Sequence, residues 1–164
     1  MRLRDYGQDD LPLQLRLLGD PATMAHLGGI ETPLQIERRH ERYLGMIDEA
    51  SGRMLVVETV DGVAAGTAGY WDRSWRGETV WETGWMLLPE HRGRGLAAAA
   101  VAELVDRLRR LAARRFVHAF PAVGNAASNA ICAKTGFGLL EALDFEYPKG
   151  HWLRCNDWRL DLEA

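Results

Sequence analysis

The chain has 164 residues, of which 47% are apolar and 26% are charged, an ordinary balance for a globular protein. This length suits one domain and leaves little room for two, so we expect a single domain over residues 1–164. The formal net charge of -3 argues against a nucleic-acid-binding protein, which usually presents a clearly basic face.

The sequence has no pattern typical of secretion, of a membrane segment or of a metal site. Two cysteines, Cys132 and Cys155, are too few for a disulfide framework and indicate reduced thiols. The charged N-terminus is not followed by an apolar signal core, and the longest run of small apolar residues, 96–102, is too short to span a bilayer. The five histidines lack metal-ligand spacing. We therefore expect a cytoplasmic protein without a membrane anchor or a bound metal.

The first part of the chain predicts one strand followed by two helices. Residues 2–6 predict the strand. The second helix begins at Thr32, because Thr32 can cap it, Pro33 suits its first position and Gln35 completes a capping box. Before it, Gly28-Gly29 predicts a mobile loop. The first helix has an apolar face formed by Leu11, Leu15 and Leu18. The apolar stripe of the second consists of Ile36, His40, Tyr43, Leu44 and Ile47.

The centre of the chain predicts a run of strands. Residues 54–60 and 63–71 flank Asp61-Gly62, a strong hairpin signal. The polar and aromatic stretch 71–77 predicts a loop, and residues 79–88 predict the next strand.

Helices and strands alternate over the remainder, which favours an α/β fold. Residues 95–113 predict the longest helix. Residues 125–135 predict another, with Asn125 as its cap and Gly136 at its exit. The predicted strands of this part are residues 115–120, 139–147 and 152–162.

The segment 88–97 joins a predicted strand to the longest helix and has the features of an anion site. Gly93 and Gly95 allow the backbone to approach a ligand closely. The first turn of the helix offers unpaired N–H groups, and Arg92 and Arg94 add positive charge. The segment therefore predicts a phosphate or diphosphate site.

Other interpretations of the segment 88–97 agree less well with the sequence. Gly93-x-Gly95-x-x-Ala98 satisfies a dinucleotide-binding fingerprint, but residues 89–92 separate its first glycine from the strand. Residues 120–124 also lack the acidic residue that this fingerprint requires after the next strand. An ordinary strand-to-helix turn with solvated arginines is the remaining alternative.

Two motifs resemble those of a known superfamily. Arg92-x-x-Gly95-x-Ala97 is similar to the (Gln/Arg)-x-x-Gly-x-(Gly/Ala) signature of the GNAT acyl-CoA N-acyltransferases. Asn125-x-x-Ser128 resembles the second motif of that superfamily. Each motif alone is only moderately specific, and their family order makes the resemblance stronger.

Further residues extend the resemblance from Met1 to Leu162. Gly136-Phe137 follows the second motif, as in the family. Residues 81–87 resemble the "Glu-Ile-Gly-Tyr" strand of the RimJ/RimL-like branch, which acetylates protein N-termini and other amines. The resemblance implies an α/β fold with a mixed, mostly antiparallel, twisted sheet of six to seven strands and helices on both faces.

The resemblance also implies how acetyl-CoA is bound. Two neighbouring parallel strands, the one ending at Leu88 and residues 116–120, separate to admit the pantetheine arm. Asn125 and Ser128 lie along this arm near the thioester. The backbone groups implied for the pantetheine are those of Met86, Leu87 and Leu88. The backbone N–H groups implied for the diphosphate are those of Arg92, Gly93, Arg94, Gly95, Leu96 and Ala97.

Acetyl transfer needs a neutral amine, so a base must accept a proton. Glu82 is our candidate, because it shares a strand face with Gly84 and Met86, and Gly84 leaves space for a substrate. The alternative is a Glu82 that is paired with an arginine. Glu78 lies on the same face, nearer the strand start.

The departing thiolate needs a proton donor. Many relatives have a Tyr seven residues after the motif Asn, where this sequence has Cys132. Cys132 is a candidate donor, although a small thiol also serves as core filler. Ser128, Tyr147 or water are the other candidates. His118 can act directly or can be a packed, hydrogen-bonded residue.

The acceptor is expected to enter opposite the coenzyme. Three tryptophans can form walls of the acceptor site, or they can instead belong to the core or to a homodimer interface: Trp71, Trp75 and Trp152. Acidic residues that can attract an amine are Glu31, Asp72 and Glu146. We therefore expect an N-acetyltransferase that moves an acetyl group from acetyl-CoA to a protein N-terminus or a small-molecule amine. The alternative is a non-catalytic acyl-CoA-binding or regulatory domain of the same fold.

Overall fold

A computed structural model describes residues 1–164. Its helices are α1 (Leu11–Leu18), α2 (Pro21–Met24), α3 (Pro33–Leu44), α4 (Leu96–Leu111) and α5 (Ala126–Lys134). Its strands are β1 (Arg2–Asp5), β2 (Gly52–Glu58), β3 (Ala64–Trp75), β4 (Glu78–Leu87), β5 (Phe116–Ala119), β6 (Gly138–Glu146) and β7 (Trp152–Asp161).

All seven strands form one sheet in the order β1-β2-β3-β4-β5-β7-β6. Only the β4–β5 pair is parallel, and the other five neighbouring pairs are antiparallel. This confirms the α/β fold with a mixed, mostly antiparallel sheet.

Both faces of the sheet are covered, because alternate residues of β2 enter different cores. Leu55 and Val57 pack with α4 in the larger hydrophobic cluster. Met54 and Val56 pack with α1 and α3 in the smaller one. Such double burial explains the nearly continuous apolar run of β2.

Two predicted helix starts are confirmed by their caps. Thr32 Oγ1 accepts from the Gln35 N–H at 3.3 Å, and Gln35 Oε1 accepts from the Thr32 N–H at 2.8 Å. Asn125 Oδ1 accepts from the Ser128 N–H at 3.1 Å. Each cap depends on residues three apart, so the sequence alone could predict it.

Three local predictions were wrong. α1 buries Leu13, Leu17 and Leu18, whereas Leu15 is exposed, because the helix packs on a neighbouring face. Ile47 lies beyond the end of α3 and is 74% exposed. The short helix α2 was missed, although Asp20 caps it by accepting from the Thr23 N–H.

The predicted loop 71–77 is also wrong, because β3 continues to Trp75 and turns only at Arg76-Gly77. Both turn residues have positive φ, 50° and 84°, as tight hairpin turns require. β3 remains paired with β4 throughout this stretch. Its polar and aromatic side chains therefore belong to a strand, and the sequence pattern could not distinguish them from a loop.

A bilayer-spanning helix is absent, since none combines the length and the apolar character that crossing requires.

We expect Leu104→Ala to lower the free energy of unfolding by about 2–5 kcal/mol, because it leaves a cavity in the core beneath α4. Leu104 is fully buried, whereas Leu140 on β6 is exposed. The matched change Leu140→Ala should stay within about 0.5 kcal/mol. Urea denaturation measures both, and equal losses would contradict the assignment of Leu104 to the core.

Candidate active site

The central feature of the site is the separation of β4 from β5. Their ladder contains only the partners Trp81↔Val117 and Glu82↔His118, although β4 continues to Leu87. A cavity of about 1140 Å³ lies beyond this ladder, lined by Gly84–Leu87 on one side and by Ala119 and Phe120 on the other. These are the two strands for which the family resemblance implied a separation.

At one end of the cavity, the loop before α4 presents free amides. Gly93 and Gly95 have φ of 72° and 74°, and a Cβ on either would meet no atom within 4 Å. The backbone N–H groups of residues 93–98 donate no hydrogen bond within the chain, and no side chain caps α4. We call residues 93–98 the amide cradle. Its free donors at the start of a long helix suit a phosphate or diphosphate.

Arg92 supports the amide cradle and is itself held in place. Its Nε donates to the Leu87 carbonyl at 3.1 Å, and a terminal nitrogen donates to Thr23 Oγ1 at 2.7 Å. Arg92 therefore joins the end of β4 to α2 at the cavity wall. Arg94 is exposed and does not line the cavity.

Most of the residues predicted for the coenzyme do line the cavity: Met86, Leu87, Arg92, Gly93, Gly95, Leu96, Ala97, Asn125 and Ser128. Leu88 does not line it. Its N–H donates to the Ala65 carbonyl at 2.9 Å, and its carbonyl accepts from the His91 N–H at 3.0 Å. Both backbone groups are thus already used within the chain.

The start of α5 is fixed by Asn129, a residue that the motif leaves unspecified. Asn129 donates to the carbonyls of Ala122 and Asn125, at 2.9 and 2.8 Å. Its Oδ1 accepts from Asn156 at 2.7 Å and from Trp158 at 2.8 Å, both on β7. This network positions Asn125 and Ser128 at the cavity. The sequence offered no signal for it, because its partners are distant in the chain.

Cys132 lies outside the cavity. Its side chain is 0% exposed within the larger hydrophobic cluster, and burial raises the pKa of its thiol to about 12. The structure therefore places Cys132 as core filler, the alternative weighed above, and does not bring it to Ser128 and Glu82.

Glu82 lines the cavity, with its side chain 14% exposed and ion-paired. Its Oε2 accepts from Arg73 Nη1 at 2.8 Å. The space expected beside Gly84 is filled by Trp71, whose Cη2 lies 3.0 Å from where a Cβ on Gly84 would stand. Gly84 thus admits an indole ring, which corrects the expectation that it leaves room for substrate.

The guanidinium of Arg73 lies among three aromatic rings, which we call the aromatic cage. Its Cζ is 5.4 Å from the ring centroid of Trp75, 5.2 Å from that of Phe120 and 4.4 Å from that of Phe145. Arg73, Phe120 and Phe145 line the cavity. The cage was missed because its rings come from three distant parts of the chain and because Arg73 lay in the predicted loop.

His118 is a packed, hydrogen-bonded residue beneath the aromatic cage. Its Nδ1 lies 2.6 Å from Asp157 Oδ1, and both side chains are buried. Trp75 Nε1 donates to Asp157 Oδ2 at 3.2 Å, and the His118 ring stacks on Phe120. The pair therefore holds two walls of the cage.

The acidic residues expected to attract an amine have partners within the chain. Asp72 accepts from Arg114 at 3.0 and 3.1 Å, and Glu31 is ion-paired with Arg39. Glu146 accepts from the Gly150 N–H at 2.7 Å. Trp152 is 62% exposed and does not line the cavity. No three His, Cys, Asp or Glu side chains group as metal ligands.

A sheet that opens between two parallel strands toward a helix N-terminus with free amides can hold an extended ligand that ends in a phosphate or diphosphate. The family model described as an acetyltransferase (GNAT) domain matches residues 1–138. The chain belongs to the GNAT acetyltransferase family.

Solved structures of this fold cover nearly the whole chain. A GNAT-family acetyltransferase from Bacillus anthracis has a TM-score of 0.81 at 16% identity, covering 99% of this chain and 95% of its own. A ribosomal-protein-alanine N-acetyltransferase from Brucella melitensis has a TM-score of 0.79 at 25% identity, covering 98% and 99%. Spermidine N-acetyltransferase from Vibrio cholerae, in complex with CoA and spermine, has a TM-score of 0.79 at 18% identity, covering 99% and 95%. No curated protein sequence matches the chain.

We expect neither cysteine of the folded protein to react with DTNB at pH 8. Cys132 and Cys155 are both buried, and burial raises the pKa of each thiol, so reactive thiolate is scarce. Absorbance at pH 8 should report two thiols only after unfolding in guanidinium chloride. Labelling of Cys132 in the native protein, located by peptide mass mapping, would contradict its place in the core.

Proposed function

We propose that residues 1–164 act as a single cytoplasmic domain that transfers the acetyl group of acetyl-CoA to a primary amine by direct attack in a ternary complex. The amide cradle carries this proposal. Its free N–H groups lie at the mouth of the gap between β4 and β5, where a diphosphate and its attached arm can be bound together.

The residues present fit coenzyme A. The amide cradle would hold the diphosphate, with Arg92 beside it. The edge of β4 at Met86 and Leu87 has no strand partner on the β5 side, so it can pair with an extended ligand as a strand would. Asn125 and Ser128 would lie along that ligand.

In the proposed reaction, the amine nitrogen attacks the thioester carbonyl carbon, the C–S bond breaks, and coenzyme A leaves as a thiol. Glu82 accepts the proton that the amine loses, directly or through water. A backbone N–H near Leu87 stabilises the oxyanion. Ser128 and Tyr147, which both line the cavity, are the side chains available to protonate the thiolate.

The acceptor class is an amine, either a small molecule or a protein N-terminus. Both kinds of acceptor are supported by structurally similar proteins, namely a spermidine N-acetyltransferase and a ribosomal-protein-alanine N-acetyltransferase. A non-catalytic acyl-CoA-binding domain is the second candidate, because Arg73 engages Glu82 and Cys132 replaces the usual Tyr. Thiol release from acetyl-CoA, measured with a panel of amines and peptides, separates the two candidate functions. If no amine or peptide raises the rate of thiol release above slow hydrolysis, the non-catalytic domain is favoured.

We expect Gly95→Trp to abolish coenzyme A binding measured by calorimetry. The indole would fill the amide cradle, and a side chain at φ of 74° is strained. Gly62→Trp is the matched control, because Gly62 also has positive φ and open surroundings but lies in the hairpin between β2 and β3. Unchanged affinity in Gly95→Trp would refute the diphosphate site.

We expect Glu82→Gln to lower kcat by about 10²–10⁴-fold while leaving acetyl-CoA affinity nearly unchanged, since the amide cannot accept a proton. Glu78→Gln is the control, because Glu78 lies on the same strand face but is exposed at its start. Rates are measured by thiol release from pH 6 to 9. Wild-type rates across that range would remove Glu82 from the mechanism.

A further inference from the structure

The aromatic cage is a cation site that the chain fills with its own Arg73. The faces of aromatic rings carry partial negative charge and attract cations within about 6 Å of the ring centroid. The Arg73 guanidinium lies within this distance of three ring centroids, and it also donates a hydrogen bond to the Glu82 carboxylate. Trp75, Phe120, Phe145 and Glu82 thus form a receptor for one positive group.

Arg73 lies beyond Glu82 along the sheet, on the side away from the amide cradle. Along β4, Gly84 pairs with Gly69, and Glu82 pairs with Trp71. Val80, one step further from the amide cradle, pairs with Arg73. An acceptor whose amine lies near Glu82 on the coenzyme side therefore has the cage at its opposite end.

Arg73 is held incompletely in the cage. Its Nε is buried without any hydrogen-bond partner, and its only hydrogen bond is the one from Nη1 to Glu82. A buried N–H without an acceptor is unfavourable. The side chain keeps 31% of its surface exposed at the open end of β3, so it has a path out to solvent.

The walls, by contrast, are fixed by bonds that do not involve Arg73. Asp157 accepts from Trp75 Nε1 and binds His118, and His118 stacks on Phe120. Phe145 packs on Phe120, with their centroids 4.8 Å apart. The cage therefore keeps its shape when Arg73 leaves.

We propose that the aromatic cage binds a second positive group of the acceptor, an ammonium or guanidinium separated by a short alkyl chain from the amine that is acetylated, and that this group displaces Arg73. The inference rests on the proposed function and narrows its acceptor to diamines and similar dications. Glu82 Oε2 then faces the cage cation, while Oε1, which makes no hydrogen bond within the chain, remains for the reacting amine.

Three four-carbon probes that differ only in the charge of the distal end test this inference. They are 1,4-diaminobutane with a positive end, butylamine with a neutral end and 4-aminobutanoate with a negative end. Calorimetric binding to the protein saturated with coenzyme A needs no turnover. The wild type should bind 1,4-diaminobutane most tightly. Arg73→Ala should strengthen its binding by about tenfold, and more than it strengthens the binding of butylamine, because the single ammonium of butylamine cannot occupy the cage and lie beside Glu82 Oε1 at the same time.

Three further variants keep the test interpretable. Arg73→Lys retains a competing cation and should bind 1,4-diaminobutane more weakly than Arg73→Ala does. Phe145→Leu removes one wall and should weaken its binding by about tenfold. Arg115→Gln is the matched control, because Arg115 forms the same type of arginine–carboxylate pair with Asp161 outside the cavity. This variant should leave the binding of 1,4-diaminobutane unchanged.

Several results would overturn the inference. The first is that the wild type binds 4-aminobutanoate most tightly and Arg73→Ala loses this binding, which would show that Arg73 binds an anion. The second is that Arg73→Ala binds 1,4-diaminobutane no more tightly than the wild type does. The third is that the protein binds none of the three probes. If 1,4-diaminobutane binds as expected but no amine releases thiol from acetyl-CoA, the proposed function fails and the cage assignment stands.

Discussion

The separation of β4 and β5 is the constraint on which the rest of the site depends. After Glu82 and His118 the two strands no longer pair, although each is held by its other neighbour, β3 or β7. The gap exposes an unpaired strand edge inside the sheet, where backbone groups require partners. The fold thus creates a place for one extended ligand, with the amide cradle at one end and the aromatic cage at the other.

Three arginines around this gap are paired with carboxylates before any ligand arrives. Arg73 is paired with Glu82, Arg39 with Glu31, and Arg114 with Asp72. Burying a charge without a partner is costly, so these pairs let ionic groups line an enclosed cavity. A cation that binds Glu82 must therefore exchange with its resident partner Arg73, which is the least satisfied of these three arginines.

Two hydrogen-bond networks outside the cavity keep its walls in position. Asn129 ties the start of α5 to β7 on the coenzyme side. Asp157 ties Trp75 and His118 together on the acceptor side. Both networks include residues of β7, so this strand aligns the two halves of the site without providing the proposed reacting groups. Buried polar groups that are fully bonded in this way make a cavity wall rigid.

The sequence by itself determined those features whose geometry is set within one or two turns of chain. The Thr32 capping box, the Asn125 cap and the glycine loop at 93–95 all depend on residues a few positions apart. Only the tertiary structure decided the length of β3, the burial of Cys132 and the aromatic cage. Arg73 on β3, Phe120 just after β5 and Phe145 on β6 are far apart in the chain and meet only in the folded sheet. A strand's neighbours, and hence which of its side chains face a cavity, are fixed by pairing across the sheet, which no local pattern encodes.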